Sequence, residues 1–157
     1  MISPPEPIRY RRSRFSTRLP ADRRYTAAHY WLAETEPGRW RVGYTRFATR
    51  MLGELVEVSL TPQPGERVAI GEVIGWIEGF KAITDVYCVV AGEYLGINPA
   101  LAEEITLIDT DPYGRGWLYE VRGDPEPNSV DVHGYVAILD ATIDRMLAHR
   151  HTEGSDG

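Results

Sequence analysis

The 157-residue sequence contains one cysteine, Cys88, and one lysine, Lys81, against sixteen arginines. A lone cysteine excludes an internal disulfide framework, and with four histidines it leaves little for a structural zinc site. No run of about 18 apolar residues occurs, so nothing reads as a membrane span. The opening Met1-Ile2-Ser3-Pro4-Pro5-Glu6-Pro7 lacks the apolar centre of a secretory signal, and the chain reads as cytoplasmic. What is present fits one globular domain: 43% hydrophobic and 25% charged residues, in a length able to bury a sizeable core.

Charge is unevenly spread. Residues 1–24 hold seven arginines against Glu6 and Asp22, a net of +5, which leaves −11 for residues 25–157 of the total −6. A basic arm on an acidic body can reach toward an acidic partner. No nucleic-acid motif accompanies these arginines, and so acidic a chain binds nucleic acid poorly. The arm, residues 1–21, therefore reads first as a solvated tail.

A turn at Glu36-Pro37-Gly38 precedes a short strand over 39–43. Thr45 then caps a short helix with Phe47, Ala48, Met51 and Leu52 on one face, stopped by Gly53. Beyond it the period changes to two. Val56, Val58 and Leu60 alternate, Val73–Ile77 and Ile83–Val90 are β-branched runs, and Glu93–Ile97 and Trp117–Val121 complete the strands. Between the two central runs Glu78-Gly79-Phe80-Lys81 makes a hairpin, with Gly79 free to take a positive φ. Val132, Tyr135, Leu139, Ile143 and Met146 then recur at helical spacing, predicting a C-terminal helix over about 129–149 capped by Asn128, Ser129 or Asp131. Residues 22–150 form the expected domain, and 151–157 are expected to fray.

A weak internal echo flanks the hairpin: Pro64-Gly65-Glu66 before it and Ala91-Gly92-Glu93 after it. Two related β-units meeting at a hairpin predict a small, mainly β, quasi-symmetric sandwich with peripheral helices. A lysine at a hairpin tip projects its amine into water from a rigid base. Such a lysine is usually an ordinary turn residue, yet the same geometry suits acylation by an enzyme that must find one amine. Cys88 shares a strand face with Thr84 and Val86, which reads as a small buried side chain; exposed, it would be a reactive thiol. No nucleophile–base pair, phosphate loop or metal spacing accompanies His29, Glu78 or Asp85, so the chain reads as a non-catalytic component.

The segment Gly71–Tyr87 around Glu78-Gly79-Phe80-Lys81-Ala82 resembles the lipoyl-lysine region of the glycine cleavage system H proteins. Separate blocks carry the likeness further: His29-Tyr30-Trp31, Val42-Gly43-Tyr44-Thr45, Leu52-Gly53-Glu54, Asn98-Pro99-Ala100-Leu101 and Asp111–Trp117. The resemblance implies a barrel-sandwich hybrid of the lipoyl-domain type, with lipoic acid in amide linkage to Lys81. It implies that Glu78, three before the lysine, Gly65, sixteen before, and Gly92, eleven after, help the lipoylating enzyme recognise its site. Gly79, Phe80 and Ala82 complete that recognition segment. Asp85, Tyr30 and His29 fall where the family forms a cleft for the loaded arm.

Two departures bear on the cargo. The family's Glu-Ser-Val-Lys-Ala becomes Glu78-Gly79-Phe80-Lys81-Ala82, and its His-Glu-Trp becomes His29-Tyr30-Trp31. Tyr30 cannot offer a carboxylate to the cationic aminomethyl cargo, although Asp85 can. These departures are similar to H-protein-like lipoate-binding proteins of bacterial sulfur oxidation. The sequence reading leans that way, with a heterodisulfide-reductase-like complex as partner. The alternative is an aminomethyl carrier serving the glycine cleavage P and T proteins, and a less favoured one is an unmodified scaffold. Either carrier would also meet a lipoate ligase or lipoyl transferase and a dihydrolipoamide dehydrogenase-type flavoprotein.

Overall fold

Alternation of apolar and polar residues builds two antiparallel sheets that close on one core. The computed structural model describes residues 5–155. The chain opens with β1 (Ile8–Arg12) and β2 (Phe15–Leu19), followed by β3 (Arg24–Tyr25), β4 (Tyr30–Glu36) and β5 (Arg39–Tyr44). Helix α1 (Arg46–Leu52) leads to β6 (Leu55–Leu60), β7 (Arg67–Val68), β8 (Val73–Gly79), β9 (Ile83–Tyr87) and β10 (Val90–Ile97). A 3-10 turn at Pro99–Ala102, α2 (Leu107–Thr110), β11 (Tyr119–Pro125) and α3 (Val132–Ser155) complete it.

The larger sheet has the order β3-β4-β5-β11-β10-β7, the smaller β6-β8-β9, and β1 pairs only with β2. Leu32, Val42, Tyr119 and Val121 from the larger sheet meet Leu55, Ile74, Ile77 and Val86 from the smaller in one buried cluster. The mainly β sandwich expected from the sequence is thus the fold that forms. The two Gly-Glu echoes are neighbours within it: Gly65 N–H donates to the Tyr94 carbonyl and Tyr94 N–H to that of Glu66, each at 2.8 Å.

Trp31 on β4 points away from Tyr30 and Leu32, as strand alternation requires, and joins a second cluster on the outer face. That cluster contains Tyr10, Leu19, Tyr25, Phe47, Tyr135, Leu139 and Ile143. It corrects the expectation of a solvated N-terminal tail for residues 8–19, which form a hairpin laid on α3. Tyr10 and Leu19 bury on the helix, the Tyr10 hydroxyl donates to Asp140 at 2.8 Å, and Arg12 grips Asp144 with two nitrogens at 2.8 and 2.9 Å. The arginines that made the arm look soluble include the one that fastens it.

Three boundaries also move. The run Ile83–Val90 is interrupted at Cys88 and Val89, where the chain crosses between sheets: Cys88 N–H donates to Glu72 C=O and Val89 N–H to the Tyr119 hydroxyl. The last strand begins at Tyr119 instead of Trp117; just before it, Leu118 N–H donates to Val42 C=O and Leu118 C=O accepts from Asn98 N–H. Of the three cap candidates, Asp131 accepts from Gly134 N–H at 2.9 Å, so α3 starts at Val132. Its backbone continues to Ser155 through most of the segment expected to fray; Asp156 and Gly157 lie outside the described residues, as do Met1–Pro4 of the arm.

Candidate functional site

Lys81 sits exposed at the β8–β9 tip, and the backbone fixes its position. Gly79 N–H closes the turn onto Ala82 C=O at 2.9 Å. Phe80 N–H donates to Glu54 C=O and Lys81 N–H to Leu52 C=O, both at 2.9 Å. The tip is thereby docked on the segment that follows α1. Thr45 caps the start of α1 by accepting from Ala48 N–H, and Gly53 ends it at φ 76°, which turns the Leu52 and Glu54 carbonyls toward the tip. Lys81 itself leans on Gly53: a Cβ added there would stand 2.9 Å from Lys81 Cγ.

Gly79 does not use a positive φ, contrary to expectation. It is required for a different reason. A Cβ at that position would lie 2.1 Å from the Leu52 carbonyl oxygen, so only glycine permits this approach of two backbones. Phe80 is 76% exposed and Ile83 65%, leaving two large apolar side chains beside the lysine in water. Glu78, half-buried, stands opposite Glu57 of β6 and Ile83 of β9.

Beside the tip lies a mostly apolar groove of about 320 Å³ between α1, β9 and the loop before β4. Ala82, Leu52, Met51 and Tyr87 wall it, and His29, Tyr30 and Asp85 also line it. Asp85 is exposed. Tyr30 is buried, and its hydroxyl accepts from Tyr87 N–H at 2.9 Å and meets the Tyr44 hydroxyl at 3.2 Å. It ties β4 to β9 across the sandwich and brings no charge. His29 holds φ 71°, supported by His29 N–H to Thr26 C=O and Thr45 N–H to His29 C=O, each at 3.0 Å. Its Nδ1 lies 2.8 Å from the Tyr135 hydroxyl, which is also 2.7 Å from Thr45 Oγ1. Burial pushes the His29 imidazole down to about 4, so it is neutral at pH 7.

The structure therefore gathers Glu78–Ala82 at one tip and His29, Tyr30 and Asp85 in the adjoining groove. Gly92 lies in β10 of the other sheet and Gly65 in the turn that precedes β7. Gly65 has φ 97°, and a Cβ on Gly92 would stand 2.0 Å from the Arg122 carbonyl oxygen, so each is needed for the backbone path. Cys88 is fully buried with its thiol donating to Val90 C=O, and burial pushes it up to about 11, which removes it as a nucleophile. Sequence reasoning missed the docking role of Leu52 and Glu54, and Tyr44 and Met51 as groove walls. The block Leu52-Gly53-Glu54 was visible as a helix stop, but nothing local says which backbone its carbonyls meet. Among the described residues no cluster of histidine, cysteine and carboxylate side chains could hold a metal, and no helix is long and apolar enough to cross a membrane.

Comparison with known proteins agrees with this geometry. The family model described as glycine cleavage H-protein matches residues 23–134. The glycine cleavage system H protein of Corynebacterium jeikeium is 40% identical over 124 residues, covering 77% of this chain and 97% of that protein. That of a Psychrobacter species is 40% identical over 106 residues, covering 68% and 83%. The crystal structure of a glycine cleavage system H protein from Mycobacterium marinum superposes with a TM-score of 0.68 at 37% identity, covering 76% of this chain and 97% of that one. By its sequence, its sheets and its tethered lysine hairpin, the chain belongs to the glycine cleavage H-protein family of non-catalytic carriers, which bear lipoate on a lysine.

Proposed function

We propose that lipoate is joined to Lys81 and that the chain serves as the aminomethyl carrier of a glycine cleavage system. One observation carries the reading: the chain's single lysine stands exposed on a tip fixed through its backbone, beside an apolar groove. The residues fit the group. An alkyl arm on Lys81 has Leu52, Met51 and Ala82 beside it as apolar surface, and no tie to the tip uses the lysine side chain. When bound, lipoate supplies a redox-active disulfide ring that takes up a substrate fragment and electrons.

The protein's own residues orient and screen. The two backbone ties from Leu52 and Glu54 hold the lysine stem, so mobility is confined to what lies beyond it. Asp85 places a carboxylate at the groove, which favours a cationic cargo over an anionic one. Tyr30 and Tyr44 give the groove a wall whose hydroxyls are already engaged. The partners of this reading are the glycine cleavage P and T proteins, a dihydrolipoamide dehydrogenase and a lipoate ligase or lipoyl transferase.

The sulfur-oxidation reading rested on Gly79, Phe80, Tyr30 and an exposed Cys88, and Cys88 is buried. Gly79 is accounted for by its approach to Leu52, and Tyr30 by its tie to Tyr87, which leaves Phe80 as the residue that favours a different docking partner. The relatives compared are all named for glycine cleavage, which supports the aminomethyl reading over it. The test is intact-mass measurement after expression with a lipoylating enzyme, followed by assay with glycine decarboxylase. One lipoyl adduct, absent from Lys81→Arg, and one-carbon acceptance at the rate of an authentic H protein are expected. An adduct that survives Lys81→Arg overturns the site. A lipoylated chain that the decarboxylase does not serve overturns the cargo.

A further inference from the structure

The apolar surface beside Lys81 does not end at α1. Phe47 and Met51 also line a second groove of about 470 Å³, between α1, the turn of the β1–β2 hairpin and α3. Its floor includes Phe15, Ile143 and Met146, and its rim carries Arg14, Arg50 and Arg150. Arg12, also at the rim, is occupied by Asp140 and Asp144. Arg14, Arg50 and Arg150 are exposed, and among the described residues no ion pair takes them up. The family match covers residues 23–134, so the hairpin and most of α3, which supply this groove, lie outside it.

We propose that this arginine-rimmed groove receives an acidic, amphipathic segment of a partner protein that acts on Lys81. Charge is the first argument. Residues 25–157 carry −11, and the lysine tip is flanked by Glu54, Glu57, Glu78 and Asp85, whereas the groove presents three guanidinium groups without an ion pair among the described residues, that of Arg50 resting over the Phe15 ring. A partner with acid against the groove and base against the body meets complementary charge in one orientation only. Continuity is the second. Phe47 and Met51 wall both grooves, so an occupant of one lies against the other and aligns its owner with the lysine. The third is the floor: Met51 and Met146, 46% and 37% exposed, are flexible and polarizable side chains that repack around apolar anchors. The inference rests on the carrier reading only for the identity of the partner.

The test uses the lipoylated full chain in two arms. In the first, fluorescence anisotropy follows a synthetic helix-forming peptide with leucine at every third and fourth position and glutamate between, its lysine counterpart, and phosphatidylglycerol vesicles. The acidic peptide is expected to bind the wild type and a triple Arg→Lys variant at positions 14, 50 and 150. A triple Arg→Glu variant is expected to weaken it about tenfold, with a steep salt dependence. Absent binding, equal binding by the Glu variant, or preference for vesicles overturns the proposal, the last in favour of a membrane surface. In the second arm, the KM of glycine decarboxylase for the carrier rises about tenfold in the Glu variant with kcat retained. An unchanged KM overturns the groove as the docking site. Failure of the wild-type chain to be served overturns the aminomethyl reading instead, and the peptide arm then decides the groove.

Discussion

The β8–β9 tip and the β1–β2 hairpin are both short antiparallel turns resting on a helix-bearing segment, but they are fastened by different parts of the chain. At the tip, Phe80 and Lys81 donate their backbone N–H groups to Glu54 and Leu52, while the side chains of Phe80, Lys81 and Ile83 stay exposed. In the N-terminal hairpin the ties to α3 run through side chains: Tyr10 to Asp140, Arg12 to Asp144, and Leu19 into the apolar cluster. The difference follows from what each must leave free. A side chain that is to be modified cannot also serve as the anchor, so the backbone must hold it. In the hairpin, Tyr10, Arg12 and Leu19 have no such requirement, so side chains can make the contact with α3 while the turn stays exposed.

The comparison is most strongly tested at Gly79. In Gly79→Ala the new Cβ meets the Leu52 carbonyl oxygen at 2.1 Å, backbone against backbone, with little room for either to yield. A loss of ~2–3 kcal/mol in urea unfolding is expected, together with a severalfold slower lipoylation time course, because the tip must withdraw from α1. Unchanged stability would mean that the backbone ties do not hold the tip.

Next in size is Tyr135→Phe. It removes the hydroxyl that sits between Thr45 Oγ1 and His29 Nδ1 and leaves the ring. Loss of ~1–2 kcal/mol is expected from the partners left behind. The lipoylation rate should stay close to the wild-type value, since the tip is tied directly to Leu52 and Glu54, whereas the Tyr135 hydroxyl bonds Thr45, at the opposite end of α1. A slowed rate would couple the two regions that the comparison separates.

The smallest effect at neutral pH belongs to His29→Asn, since asparagine also tolerates a positive φ. Its signature lies in acid. The folded imidazole is lowered from 6.5 to about 4 by burial, so below 6.5 the unfolded chain binds a proton that the folded chain refuses. This contribution to stability is therefore complete above about pH 6.5 and is lost progressively as pH falls toward 4. Urea midpoints at pH 7.5 and 5 should diverge more in the wild type than in the asparagine variant. Equal divergence would show that His29 is not the group responsible.

Much of the fold was legible along the chain because alternation and helical spacing report which faces are apolar. The strands around Lys81, the Thr45 cap, the Gly53 stop and the stripe on α3 were all readable in this way. The seven arginines of residues 1–24 misled, since a charge count does not show that Tyr10 and Leu19 have a helix to cover. The run Ile83–Val90 misled too, because β-branched residues look alike whether the strand continues or passes to the other sheet.

By itself the sequence determined the chemistry on offer: one lysine, placed in a hairpin with Glu78 before it, and a set of separated blocks that resemble the H proteins. Tertiary structure alone decided why residue 79 is glycine, which carbonyls hold the tip, that Tyr30 ties β4 to β9, and that the groove beside the lysine continues into an arginine-rimmed one. Each of these depends on an approach between segments far apart in the chain. A local pattern shows which groups need a partner, and only the folded backbone determines which partner they find.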